Sequence, residues 1–184
     1  MVVPKNIIDA FQNIIGLQIT YVGYAADMRT FGIGPLSEGV DFRGRSQLQS
    51  PYGLHIQCPW RIENDGTVLT GSADWWAPAD PKTVTDRSWT GCDGVSLQEL
   101  KLRDLFMDHD PAHKVLHNQT DALWITDVAI DLFGGLEIGL TPGWRLRVFP
   151  CAARVEEWRL LDLDRSYYLE GLECHIYPKV EGEQ

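Results

Sequence analysis

The sequence predicts an α+β fold: an antiparallel, strongly twisted sheet or partly closed barrel, covered by an N-terminal helix and a central helix. Three tryptophans, each followed at once by arginine inside an apolar segment, carry much of this reading: Trp60-Arg61, Trp144-Arg145 and Trp158-Arg159. Between Leu54 and Glu63, the residues Leu54, Ile56, Cys58, Trp60 and Ile62 fall on one face of a period-2 strand. His55, Gln57, Arg61 and Glu63 fall on the other, so the segment reads as one strand with a dry face and a polar face. The second observation is a set of three alternating segments from Asp127 to Val148, broken by Gly134-Gly135 and Thr141-Pro142-Gly143. Short alternating runs between such turns specify an antiparallel meander.

The elements follow in order. Ile7, Ile8, Phe11, Ile14 and Ile15 recur at helical spacing behind Pro4, and Gly16 is placed to stop that helix. Leu17, Ile19 and Tyr21 alternate as a strand, and a second short strand covers Met28 to Ile33 before Gly34-Pro35. Residues 34 to 51 hold few apolar anchors and read as a long loop, either a functional surface or a flexible excursion. Asp65-Gly66 between two alternating segments marks a hairpin that returns through Thr67 to Ser72. The stretch with Trp75, Trp76 and Trp89 has no clear period. Ser96-Leu97-Gln98-Glu99 matches a capping box and opens a helix from Leu97 to Met107, with Leu97, Leu100, Asp104 and Leu105 at helical offsets. Val155 to Leu161 and Tyr167 to Tyr177 would add two further strands.

A chain of 184 residues fits one domain, here residues 1 to 184, and its 44% apolar content is that of a folding globular protein. The formal charge of −10, from 26 acidic and 16 basic residues, argues against nucleic acid and anionic membranes as partners and favours a basic protein. It also serves solubility alone. No export or membrane-spanning pattern is visible, and the expected compartment is the cytoplasm. The four cysteines are widely spaced with no Cys-x-x-Cys pair, which fits reduced thiols. No motif specifies a cofactor.

Three candidate sites emerge, each with a bland alternative. Asp74, Trp75, Trp76, Asp80 and Trp89 describe an acidic, tryptophan-bearing surface of the kind that anchors protein partners, though tryptophans in a loop also seal the open end of a sheet. His109, His113 and His117 stand four residues apart; on a helix, His113 and His117 would share a face able to chelate zinc. Pro111 makes Asp110 a helix N-cap, however, which separates His109 from the other two. His55 and Arg61 lie on the polar face of the Leu54 strand, which is either a ligand groove or a solvated surface. Cross-strand pairing with Glu63, Glu137, Glu156 or Glu157 accounts for Arg61, Arg145 and Arg159 without any ligand.

Residues 53 to 74, from Gly53-Leu54-His55 to Gly71-Ser72-Ala73-Asp74, resemble a family of small uncharacterised bacterial proteins. Residues 125 to 161, through Trp144-Arg145-Leu146 to Trp158-Arg159-Leu160-Leu161, share that resemblance. The family is loosely associated with immunity partners of polymorphic toxins, which implies no site residue. The expected function is a non-enzymatic, cytoplasmic protein-binding domain, an immunity-like inhibitor using the acidic tryptophan surface. The alternatives are a metal-dependent enzyme centred on His109, His113 and His117, and a small-ligand binder on the polar sheet face.

Overall fold

The computed structural model describes residues 3, 5–26, 28–40, 44–83, 95–111, 114–152 and 156–162. These form antiparallel sheets with two α-helices, the α+β class expected. The first helix, α1 (Lys5–Gln12), precedes the hairpin β1 (Ile19–Ala25) and β2 (Met28–Ile33). Next come β3 (Ser37–Val40), β4 (Ser46–Gln49), β5 (Tyr52–Ile56), β6 (Trp60–Asn64) and β7 (Thr67–Gly71). Two 3₁₀ turns, Ser72–Trp76 and Pro81–Thr83, and the helix α2 (Leu97–Phe106) separate these from β8 (Met107–Asp110) and β9 (Val115–Asn118). The chain continues as β10 (Ile125–Ile130), β11 (Leu136–Leu140), β12 (Trp144–Val148) and β13 (Trp158–Asp162). A six-stranded sheet runs β13-β5-β2-β1-β9-β8, a five-stranded sheet runs β10-β11-β12-β6-β7, and β3 and β4 form a two-stranded sheet. Among the described residues neither sheet closes on itself, so the barrel is not found.

The two sheets share one core. Val22, Phe31, Leu54 and Leu160 of the first sheet cluster with Trp60, Ile62, Ile138 and Leu146 of the second. Phe31 meets Trp60 edge to face, ring centres 5.4 Å apart, so an aromatic contact bridges the sheets. Ile7, Phe11 and Ile14 belong to this core, while Ile8 points outward, 40% exposed. Beyond Gln12 the turn tightens through bonds from Ile14 N to Phe11 O and Ile15 N to Gln12 O, then ends at Gly16 with φ +83°. A left-handed stop of that kind favours glycine.

Three local expectations need correction. The strand from Leu54 to Glu63 is two strands, because Pro59 supplies no N–H and the chain crosses there from one sheet to the other. Gln57 N and Cys58 N instead bond to Glu157 O, at 2.8 and 3.3 Å. The inward residues stay in phase through the corner, so Leu54, Ile56, Cys58, Trp60 and Ile62 are all buried as their alternation implied. Residues 34 to 51 are not all loop, since β3 and β4 pair within them. Their signal is weak because the hairpin has no dry face: Val40 and Leu48 are 45% and 53% exposed. The histidine segment is a hairpin of β8 and β9, turning at Lys114 with φ +54°, and Asp110 caps no helix. The helix α2 buries Gln98, Leu102 and Phe106.

The capping and hairpin signals describe the observed elements. Ser96 Oγ accepts from Glu99 N at 3.1 Å, and Asp65 and Gly66 both take positive φ in the β6–β7 turn. Ser96→Ala should therefore lower stability by about 1 kcal/mol. A urea titration showing no shift would remove the cap from the account of α2. The meander is also present, with β10, β11 and β12 in antiparallel register. Among the described residues no helix is long and apolar enough to cross a membrane. The strand expected at 167–177 lies outside those residues.

Candidate functional site

The strongest assembly of aromatic and charged side chains lies where β2, the Ser72–Trp76 turn and α2 meet. Arg29 alternates with Phe31 and Ile33 along β2, so it points inward and is only 4% exposed. Its guanidinium stacks on Tyr24, 5.3 Å from the ring centre, and on Trp75, 5.1 Å away. The two rings are themselves 4.7 Å apart. Arg29 Nη2 donates to Gln98 Oε1, and Gln98 Nε2 donates to Gly71 O at 2.7 Å. Burial pushes the Arg29 guanidinium down to about 10, with Glu99 and Tyr24 opposing the shift, so it stays charged at neutral pH. One buried arginine thus ties β2, α2 and the end of β7 together through two faces and an edge.

That brace fixes the tryptophan-bearing turn. Asp74 accepts from Thr70 Oγ1 at 3.1 Å and lies 3.8 Å from Lys101 Nζ. Leu97 N bonds to Ala77 O at 2.7 Å and Ala79 N to Val95 O at 3.0 Å, so the chain after the turn is stitched to the start of α2. Asp80 Oδ1 accepts from Lys82 N at 2.9 Å. Asp80 therefore holds backbone, while Asp74 is committed to the side chains of Thr70 and Lys101. Trp75 is half-buried in the arginine clamp, whereas its neighbour Trp76 is 59% exposed. Trp89 lies outside the described residues.

His55 and Arg61 do not share a face, because the corner at Pro59 puts them in different sheets. His55 sits on the outward face of the six-stranded sheet, in register with Thr30 on one side and Arg159 on the other. Its Nδ1 is buried with no hydrogen-bond partner among the described residues. Burial, then the charge of Arg159, pushes His55 down to about 4 and keeps it neutral. Arg159 itself faces Glu156 at 3.1 Å.

Arg61 belongs to an ion-pair ladder across the outward face of the five-stranded sheet. Glu63 accepts from Arg61 Nε and Arg147 Nε, each at 2.6 Å. Arg147 Nη1 reaches Glu137 at 3.0 Å, Arg145 Nε lies 3.5 Å from the same carboxylate, and Arg145 Nη1 bonds Asp127. Desolvation opposes ionisation of Glu63, but the two arginine bonds outweigh it and hold its carboxyl below the usual range. Arg145 is thus paired across strands, to Asp127 and Glu137, whereas Arg61 pairs with Glu63 two residues on in its own strand. Trp60 and Trp158 are buried, and Trp144 is half-buried against Phe106.

The histidines are not drawn together on a helix. His109 pairs with Leu116 and His117 with Asp108, so the two rings emerge on opposite faces of the sheet. His117 Nε2 instead lies 3.9 Å from Asp110. His113 lies outside the described residues. Among the described residues no three His, Cys, Asp or Glu side chains are grouped to hold a metal. Cys58 is buried, and burial with the nearby Glu157 carboxylate pushes its thiol up to about 12, leaving no thiolate for nucleophilic attack. Cys174 lies outside the described residues.

Reading by residue type passed over Arg29, Tyr24 and Gln98. Two signals were available: Arg29 holds an inward position in the alternation with Phe31 and Ile33, and Gln98 stands four and eight residues before Leu102 and Phe106. A polar residue on a buried stripe is the informative kind. No protein-family profile, curated protein or solved structure matches the chain.

Proposed function

We propose that the chain is a protein-binding domain, an immunity-like inhibitor, whose contact surface is built on the Ser72–Trp76 turn with Trp76 as its anchor. One observation carries this: Trp76 stands 59% exposed on a turn whose neighbour Trp75 is clamped by a buried arginine. Exposed aromatic anchors on pre-organised elements supply much of the binding energy at protein interfaces, because little conformational freedom is lost on docking. The charge of −10 favours a basic partner and speeds its encounter. The rival sites have less to offer, since His109 and His117 face apart and Arg61 is occupied by Glu63.

An immunity-like inhibitor binds a toxin domain encoded beside it, so that domain is the ligand to titrate. Calorimetry should show binding that Trp76→Ala weakens at least about tenfold, roughly 1.4 kcal/mol. The melting temperature should not change, because the side chain is exposed. Equal affinity for Trp76→Ala and the parent protein would contradict the surface. No binding by the parent chain would contradict the inhibitor reading.

A further inference from the structure

The turn joining β10 to β11 holds an apolar tip in water on a rigid frame. Asp131 Oδ1 accepts from Phe133 N at 2.8 Å and Gly135 N at 2.9 Å, Asp131 N donates to Gly135 O, and Gly134 N donates to Asp131 O. From below, Trp158 Nε1 donates to Gly134 O at 2.7 Å through a buried bond. Phe133 is nonetheless 87% exposed, and Leu132 beside it 48%. A phenylalanine on a floppy loop would need no comment, but five hydrogen bonds here hold the turn that displays one.

Phe133 stands on the rim of an open concavity of about 340 Å³ whose wall includes Ile130, Val148, Phe149 and Pro150. Phe149 is 40% exposed and carries the Arg61 guanidinium 5.0 Å from its ring centre, which makes the concavity continuous with the charged ladder. Knob and hole therefore belong to one patch. That is the condition for a self-complementary, two-fold contact, in which each copy's knob enters the other's hole.

Charge selects the occupant. A chain with a net charge of −10 repels its own copies over most surfaces. The outward face of the five-stranded sheet differs, since Arg61, Arg145 and Arg147 balance Glu63, Asp127 and Glu137. Its carboxylates Asp127 and Glu137 stand on β10 and β11 and its arginines Arg145 and Arg147 on β12, so two copies related by a two-fold can set arginines against carboxylates. We infer that this face, led by Phe133, is a homodimer interface, with the Phe133 tip of each copy seated in the concavity of the other. The Trp76 turn follows β7, at the opposite edge of the same sheet and about 19 Å away by strand spacing, which leaves it free for a different partner.

The test is sedimentation velocity and light scattering on the full chain at up to about 100 μM, a range that captures interfaces of modest size. The parent protein should run at twice its 20.8 kDa chain mass. Phe133→Asp and Phe133→Ser should both give monomer while keeping the parent melting temperature and circular dichroism, because the side chain is exposed. Trp76→Ala should remain dimeric. A parent chain that stays monomeric overturns the proposal, as does a dimer that survives both Phe133 substitutions or is lost with Trp76→Ala.

Discussion

Arg29→Ala is expected to lower folding stability by about 3 kcal/mol, from lost stacking against two rings and a buried amide oxygen left unpaired. The guanidinium packs on both Tyr24 and Trp75, whose rings touch each other, and holds Gln98 Oε1, which is shut off from solvent at 1% residue exposure. Arg29→Lys should recover little, since an ammonium cannot stack on two faces and donate along an edge. Arg29→Met with Gln98→Leu removes both polar partners and keeps the volume but leaves Gly71 O without its donor, so this pair should recover only part of the loss. Urea unfolding reads all three. Arg29→Ala within about 0.5 kcal/mol of the parent, the range of an ordinary surface change, would mean the clamp is not structural.

Acid should weaken the fold through His55 before the carboxylates contribute. Its folded value is pushed down to about 4 against an ordinary 6.5, so between these two the unfolded chain takes up a proton that the folded chain refuses. Stability is therefore full above about pH 6.5 and falls as pH drops toward 4, by about 2 kcal/mol at pH 5. Glu63 and Asp127, held below the usual carboxylate range by their arginines and by Thr126, lose stabilising charge only at lower pH. Unfolding free energies at pH 7 and pH 5 should show the drop in the parent and a clearly smaller one in His55→Gln. Identical drops would place the acid sensitivity elsewhere.

The parts of the fold legible in the sequence are those with a local chemical signature. Asp65-Gly66 identifies its hairpin through backbone conformation, Ser96 its helix through a cap, and Leu136, Ile138 and Leu140 their strand through alternation. What the pattern does not carry is where a strand leaves its sheet. Leu54 to Ile62 alternate without a break although the chain changes sheets at Pro59, and the proline was the one residue that marked the corner. That corner also divides His55 from Arg61. Histidines four residues apart fit a helix, but burial of Met107 and Leu116 across β8 and β9 makes a hairpin and turns His109 from His117.

The candidate surface was legible in kind and not in detail. Trp75 and Trp76 are equivalent in the sequence, and only the position of Arg29, forty-odd residues away in the chain, turns one inward and leaves the other exposed. The acidic residues expected to steer a partner are partly committed locally, Asp74 to Thr70 and Asp80 to the backbone of Lys82. Steering therefore rests on the net charge of the chain more than on these two carboxylates.

We propose that Trp76, braced through Trp75 by Arg29, anchors a protein partner. Calorimetric titration of the toxin domain encoded beside the chain into the parent protein and Trp76→Ala, both folded and at equal concentration, tests it most directly. Affinity should fall at least about tenfold with no change in melting temperature. Affinity unchanged by Trp76→Ala would contradict it.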